Sequence, residues 1–389
     1  MSEASSTTEK KTKAGLEGVV AVPSTICFID GNVGRLVYRG YDIGELVENS
    51  TFEEVAYLLW DGELPTRSQL AKLRSELGGG AALPPHVVEL LKGLPKQTQP
   101  MDALRTAVSA LAATDPDLEH NDRAADRRKA VRLTAQLPTI VTAFHRLRNG
   151  QQPVAPDPAL PIASNFLYML NGKKPHETLS RVLDAALVLH AEHGMNASTF
   201  AARVTAATFA DMHAAITSAT AALKGPLHGG ANQDVMNLLL SWGDVENAER
   251  KVRQMLQEGQ KVPGFGHRVY RTFDPRATFL RKMSKQLGEA AGNTKWYEMS
   301  ERLIPIMKDT VNAEGKAKNL NPNVDFFSAS AYYTMGIPLD LFTPIFAIAR
   351  VTGWSAHVME QHENNRIIRP TDDYTGPFDK KVIPIDQRK

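Results

Sequence analysis

Cysteine is nearly missing: Cys27 stands alone among 389 residues. No intrachain disulfide and no thiolate metal cluster can form, which favours a reducing compartment, and Cys27 itself reads as a small buried hydrophobe. Charge of one sign is missing too. Forty-five Lys and Arg stand against 43 Asp and Glu, a net charge of +2, so no global field draws the chain to nucleic acid or a membrane surface. Any anionic ligand must be held by local arginines. No apolar run approaches the roughly 20 residues of a bilayer span. The opening MSEASSTTEKKTKAG has neither the apolar core of a secretory signal nor the Arg-rich, acid-poor make-up of a transit peptide. Residues 1–14 therefore read as a disordered tail, and a cytoplasmic location is expected. Fixed-period repeats and a P-loop are absent. The GFG at 264–266 lacks the third glycine and the preceding strand of a dinucleotide fingerprint.

What remains is an ordinary globular composition, 42% hydrophobic and 23% charged, long enough for two domains. Residues 18–40 hold short β-rich runs divided by Asp30-Gly31-Asn32, the signature of a hairpin and the one substantial β element. From Ser50 the period becomes helical: Phe52, Val55, Ala56 and Leu59 share a face behind a Ser50/Glu53 capping box. Leu104, Val108 and Leu111 share another behind a capping Asp102. Residues 123–148 form a long helix that Pro138 should kink or divide, and 177–190 another. The stretch 197–223, rich in Ala, Thr and Ser, reads as a closely packed central helix or a subunit contact. A further helix starts near Asn232, others follow at 245–258, 276–290, 296–313, 326–334 and 340–353, and Arg366–Lys389 reads as an extended arm. With no strand–helix alternation, the class is all-α.

Four stretches concentrate unusual residues: HAEHGMNAS (190–198), GPLHGGAN (225–232), VPGFGHRVYRTFDPRA (262–277) and NPNVDFFSA (321–329). His190 and His193 stand three apart without a zinc-protease motif, so a helix-end or core role outweighs metal binding, and no metal is expected. The glycines around His228 permit close backbone approach, and the following helix N-terminus would keep the imidazole neutral, a hydrogen-bond donor. As an isolated motif it reads first as a helix–helix turn with an incidental histidine. His267 repeats the pattern between Gly264, Gly266 and three arginines. Asp325, between apolar neighbours, reads as a base with a raised pKa or as a helix cap.

Taken in this order, GPLHGGAN, GFGHRVYRTFDPRA and PNVDFFSA resemble the three catalytic segments of the citrate synthase and 2-methylcitrate synthase family. The likeness extends to GYDIGELVENSTFEEVAYLLWDGELPT (40–66), MDALRTAVSAL (101–111) and Arg369-Pro370. The resemblance implies a homodimer of the bacterial and archaeal type, with a large helical domain (15–229 and 336–389) and a small helical domain (230–335) that closes over the substrates. It implies condensation of acetyl-CoA with oxaloacetate to citrate, with propionyl-CoA as the alternative acyl donor and no cofactor. The carried-over roles are Asp325 as base, His228 as donor to the enol oxygen and His267 on the oxaloacetate carbonyl. His193, Arg276, Arg350 and, from the neighbouring subunit, Arg369 would hold the carboxylates. Pro263, Gly264, Phe265, Gly266, Arg271 and Asn323 would contact coenzyme A.

Overall fold

The computed structural model describes residues 14–16, 18–313 and 320–388, so all of the expected tail at 1–14 except Ala14 lies outside them. Strands β1 (Cys27–Asp30), β2 (Arg35–Tyr38) and β3 (Tyr41–Asp42) form an antiparallel meander with Phe28 opposite Val37 and Tyr38 opposite Tyr41. The expected hairpin thus gains a third strand. Its turn is closed by Asn32 N–H donating to Asp30 Oδ1 at 2.9 Å.

Among the described residues everything else regular is helical. Helices α1 (Ile43–Asn49), α2 (Phe52–Asp61), α3 (Arg67–Gly80), α4 (Pro85–Gly93) and α5 (Pro100–Leu111) lead to the long α6 (Arg123–Arg148). Then come α7 (Ile162–Asn171), α8 (Glu177–His190), α9 (Ala197–Ala206) and α10 (Met212–Leu223). After a short turn follow α11 (Ala231–Trp242), α12 (Val245–Gln257), α13 (Pro275–Ala290), α14 (Lys295–Ala313), α15 (Val324–Thr334) and α16 (Phe342–Glu363). Helix α16 is the spine. It packs on α2, α5, α6, α8, α9 and α10, and nearly all of its residues from Phe342 to Met359 are buried. Helices α11 to α15 pack mainly on one another, with α13 also meeting α1 and α8.

Local chemistry departs from the sequence pattern in five places. The capping box sits one residue later, with Thr51 N–H donating to Glu54 Oε2 at 2.8 Å. Asp102 lies in the first turn of α5, whose cap position is Gln99, and stabilises the helix dipole there rather than capping it. Pro138 leaves α6 undivided, because neighbours α3, α4, α5, α7 and α16 press on it and offset one missing hydrogen bond. The stretch 197–223 is two helices: Phe209 turns the chain with φ of 61°, and Asp211 caps α10 by accepting the Ala214 N–H at 3.0 Å. Finally, α16 runs ten residues beyond the expected 353, carried by buried Trp354, His357 and Val358.

Candidate active site

The loops before α13 and α15 are tied together as a unit. Gly266 N–H donates to Asn321 O at 3.0 Å, Asn323 N–H donates to Gly264 O at 2.9 Å, and Asn323 Nδ2 donates to Gly266 O at 3.0 Å. Gly264 and Gly266 take φ of 81° and 79°, a region that favours glycine. A Cβ on Gly264 would lie 2.7 Å from Val235 Cγ2 and 2.8 Å from Phe326 Cδ2. The β1–β2 turn braces the same loop from outside, Gly31 O accepting the Arg271 N–H at 2.8 Å.

Two imidazoles are fixed as neutral donors by backbone N–H groups, which can only donate to them. His267 Nδ1 accepts the N–H groups of Val269 and Tyr270 at 3.0 and 3.2 Å, so its proton sits on Nε2. Burial, then the charge of Arg276, brings its pKa down to about 4 against a smaller upward pull from Asp274. His228 Nε2 lies 3.3 Å from the Ser198 backbone N–H and 2.8 Å from Ser198 Oγ, which leaves Nδ1 to carry the proton. Burial and Arg350 push it down to about 4. The helix end that addresses His228 is therefore that of α9, thirty residues upstream, and not the following α11 as its sequence position implied.

Asp325 is not a cap. Asn323 caps α15, accepting the Asp325 N–H at 3.0 Å, and no described residue donates to the Asp325 carboxylate. Burial pushes its pKa up to about 6; Arg276 and Arg350 pull down against it and Asp274 pushes with it. The buried arginines differ in occupancy. Arg276 grips Asp274 through Nε and Nη2 at 2.9 and 2.8 Å; burial pulls its pKa down, but Asp274 together with Tyr270 holds it above the usual range. Arg350 Nε donates to His190 O at 2.7 Å, while its Nη2 is buried with no partner. His193 lies beside them, 5.3 Å ring to ring from His267 and hydrogen-bonded through Nε2 to Tyr270 Oη at 3.0 Å. Burial, then Arg276, keeps it neutral.

One family model, citrate synthase, C-terminal domain, matches residues 15–371. The chain belongs to the citrate synthase family. It is 49% identical to citrate synthase 2 of Bacillus subtilis over 96% of this chain and 98% of that one. A 2-methylcitrate synthase of Shewanella oneidensis is 42% identical over 98% and 99%. The crystal structure of citrate synthase from Pyrobaculum aerophilum superposes with a TM-score of 0.90 at 40% identity, covering 96% of this chain and 95% of that one. A Thermoplasma acidophilum citrate synthase, solved as a ternary complex with carboxymethyl coenzyme A and oxaloacetate, superposes at 0.89 with 32% identity, covering 96% of this chain and 99% of that one.

For this citrate synthase family member, His193, His228, His267, Arg276, Arg350 and Asp325 share one electrostatic neighbourhood. Arg369 stands apart. It lines a groove of about 730 Å³ with Leu16, Val20, Phe200 and Ile367. Of the coenzyme A candidates, Pro263, Gly264, Phe265 and Gly266 form the loop clamped above, and Arg271 is exposed. The Asn323 side chain is engaged at both ends as the clamp. His190 ends α8, its Nδ1 2.6 Å from Ala186 O, and no described residues gather as a metal-ligand set. Ser198 and Asp274 went unnoticed in the sequence. Asp274 had a signal, an Asp-Pro pair opening a helix two residues before Arg276, whereas Ser198 had none because its partner is distant in sequence.

Proposed function

We propose that this chain is a citrate synthase, joining the methyl carbon of acetyl-CoA to the keto carbon of oxaloacetate and hydrolysing the thioester to citrate and CoA. The observation that carries the reading is a carboxylate to which no described residue donates, in the same field of Arg276 and Arg350 as two imidazoles whose acceptor nitrogens are taken by backbone N–H groups. Asp325 removes the α-proton. The negative charge then developing on the thioester oxygen meets His228 Nδ1–H, while His267 Nε2–H polarises the keto oxygen; a preorganised donor of this kind contributes about 3 kcal/mol.

The oxaloacetate carboxylates bind Arg350, through its unpartnered Nη2, and Arg276, with His193 beside them. Within one chain Arg276 is already matched by Asp274, so a dianion needs further positive charge. Arg369 from the second subunit of a homodimer supplies it. The division into a large domain (15–229, 336–389) and a small domain (230–335) puts His228 at the junction, and closure excludes water while the enolate exists. Pro263 to Gly266, Arg271 and Asn323 form the coenzyme A edge. No cofactor takes part, and the location is cytoplasmic; no described helix is long and apolar enough to cross a membrane.

The test is release of CoA thiol from acetyl-CoA and oxaloacetate, with no release above background as the refuting result. Propionyl-CoA is the second reading, suggested by the more distant 2-methylcitrate synthase relatives. One methylene in an apolar pocket is worth only about 1–3 kcal/mol, so paired kcat/KM values decide between them.

A further inference from the structure

The turn at residues 190–193, between α8 and α9, is fastened from three sides. Tyr38 Oη donates to Glu192 O at 2.7 Å, Arg350 Nε donates to His190 O at 2.7 Å, and Glu192 Oε1 lies 3.0 Å from His357 Nε2. The His357 tautomer is set from its other side. Arg203 Nε–H donates to His357 Nδ1 at 2.9 Å, so the proton is on Nε2 and is donated to Glu192.

Arg350, Gly353 and His357 follow at i, i+3 and i+7 along one stripe of α16. Glu192 lies across that stripe. A Cβ on Gly353 would overlap Glu192 Oε2 and the Ala191 carbonyl, so the missing side chain makes the notch that admits the carboxylate. One carboxylate oxygen is bound to His357. The other is buried without a partner one helical turn from Arg350, whose Nη2 is likewise buried and unpartnered. Both residues are at most 1% exposed. Burial pulls the Arg350 pKa down, and Glu192 is the foremost group holding its charge in place. A buried guanidinium with no compensating charge would be strongly destabilised.

We propose that Glu192, seated in the Gly353 notch and oriented by His357, is the counter-ion of Arg350 and limits how tightly the site holds carboxylates. It is a positioning residue for the reaction proposed above and rests on Arg350 being a carboxylate ligand. Its negative charge holds Arg350 ready in the empty site and opposes the incoming anion, so substrate and product are held loosely enough to turn over.

Glu192→Gln keeps the volume and an acceptor for His357 but removes one negative charge. The expected result is a fall of about fivefold or more in both the KM for oxaloacetate and the inhibition constant of citrate, with the KM for acetyl-CoA unchanged. Glu192→Asp keeps the charge and brings no tightening. A purely structural role would weaken binding in both variants, and unchanged or weaker citrate inhibition in Glu192→Gln overturns the proposal. Thermal unfolding gives a second readout: the double variant Glu192→Gln/Arg350→Gln should melt above Arg350→Gln alone, because the single change strands a buried carboxylate. A double variant that melts at or below it also overturns the proposal. Failure of the underlying reading is separate: the wild type would release no thiol, or Arg350→Gln would leave the KM for oxaloacetate unchanged.

Discussion

Acidification separates the groups of this site, because their pKa values fall into two ranges. In the proposed mechanism Asp325 works as a base only when ionised, and burial pushes its pKa to about 6, whereas His228 and His267 are neutral above about 4. From the ordinary 3.8 the rise corresponds to about 3 kcal/mol against the ionised form. About one tenth of the base is therefore ionised at pH 5 and about nine tenths at pH 7. The expected profile of kcat/KM for acetyl-CoA rises with unit slope up to pH 6 and then levels, without a histidine inflection between pH 5 and 8. Thiol release in constant-ionic-strength buffers measures it. Asp274→Asn sharpens the test. Asp274 pushes the Asp325 pKa up and masks Arg276, so its neutralisation should move the limb to lower pH. A wild-type limb near pH 4, a second inflection from an imidazole, or an upward move in Asp274→Asn would refute the reasoning.

Three further outcomes are expected. Gly264→Ala places a side chain at φ of 81° against Val235 and Phe326; a loss of about 2–5 kcal/mol and a lower kcat should appear in urea unfolding and thiol release, and a wild-type melt would contradict the clamp. Asp184 is raised to about 8 by burial and by neighbouring Glu53. The folded state then binds a proton that the unfolded state lacks between about pH 4 and 8, so wild-type stability falls as pH rises through that window. Asp184→Asn should remove the slope and be the more stable form at pH 8 in urea melts; parallel stability curves would show that the carboxyl is not held protonated. Arg369→Ala should raise the KM for oxaloacetate at least tenfold with little change in melting temperature, and an unchanged KM would rule out its role across the dimer.

Helix content was legible because apolar periodicity and Asp, Asn or Thr caps repeat along the chain. Helix α8 matches its expected span of 177–190 and α11 starts within a residue of the expected Asn232. What periodicity could not convey was competition between local and tertiary forces. Pro138 should break a helix judged alone, yet neighbours such as α3, α5, α7 and α16 hold α6 as one helix, and Asp211 restarts a helix inside a uniformly Ala-rich stretch. The site was legible as a set of motifs, since His228, His267 and Asp325 each sit among glycines or capping residues. Their electrostatic control was not. Ser198 and Glu192 act on partners that the fold, and not the local spacing, brings beside them, and Asp274, though next but one to Arg276, reaches Asp325 only through the fold.

The hydrogen bond from the Ser198 N–H to His228 bears on how such an enzyme could change its diet. An amide hydrogen cannot turn round, so the acceptor edge of the ring is committed to helix α9, and in the proposed mechanism the other edge alone meets the acyl group. Reactivity is tuned on one side of the imidazole and selectivity on the opposite one. Wall residues facing the acyl chain can then be exchanged, admitting a longer thioester, without retuning the group that stabilises its enolate.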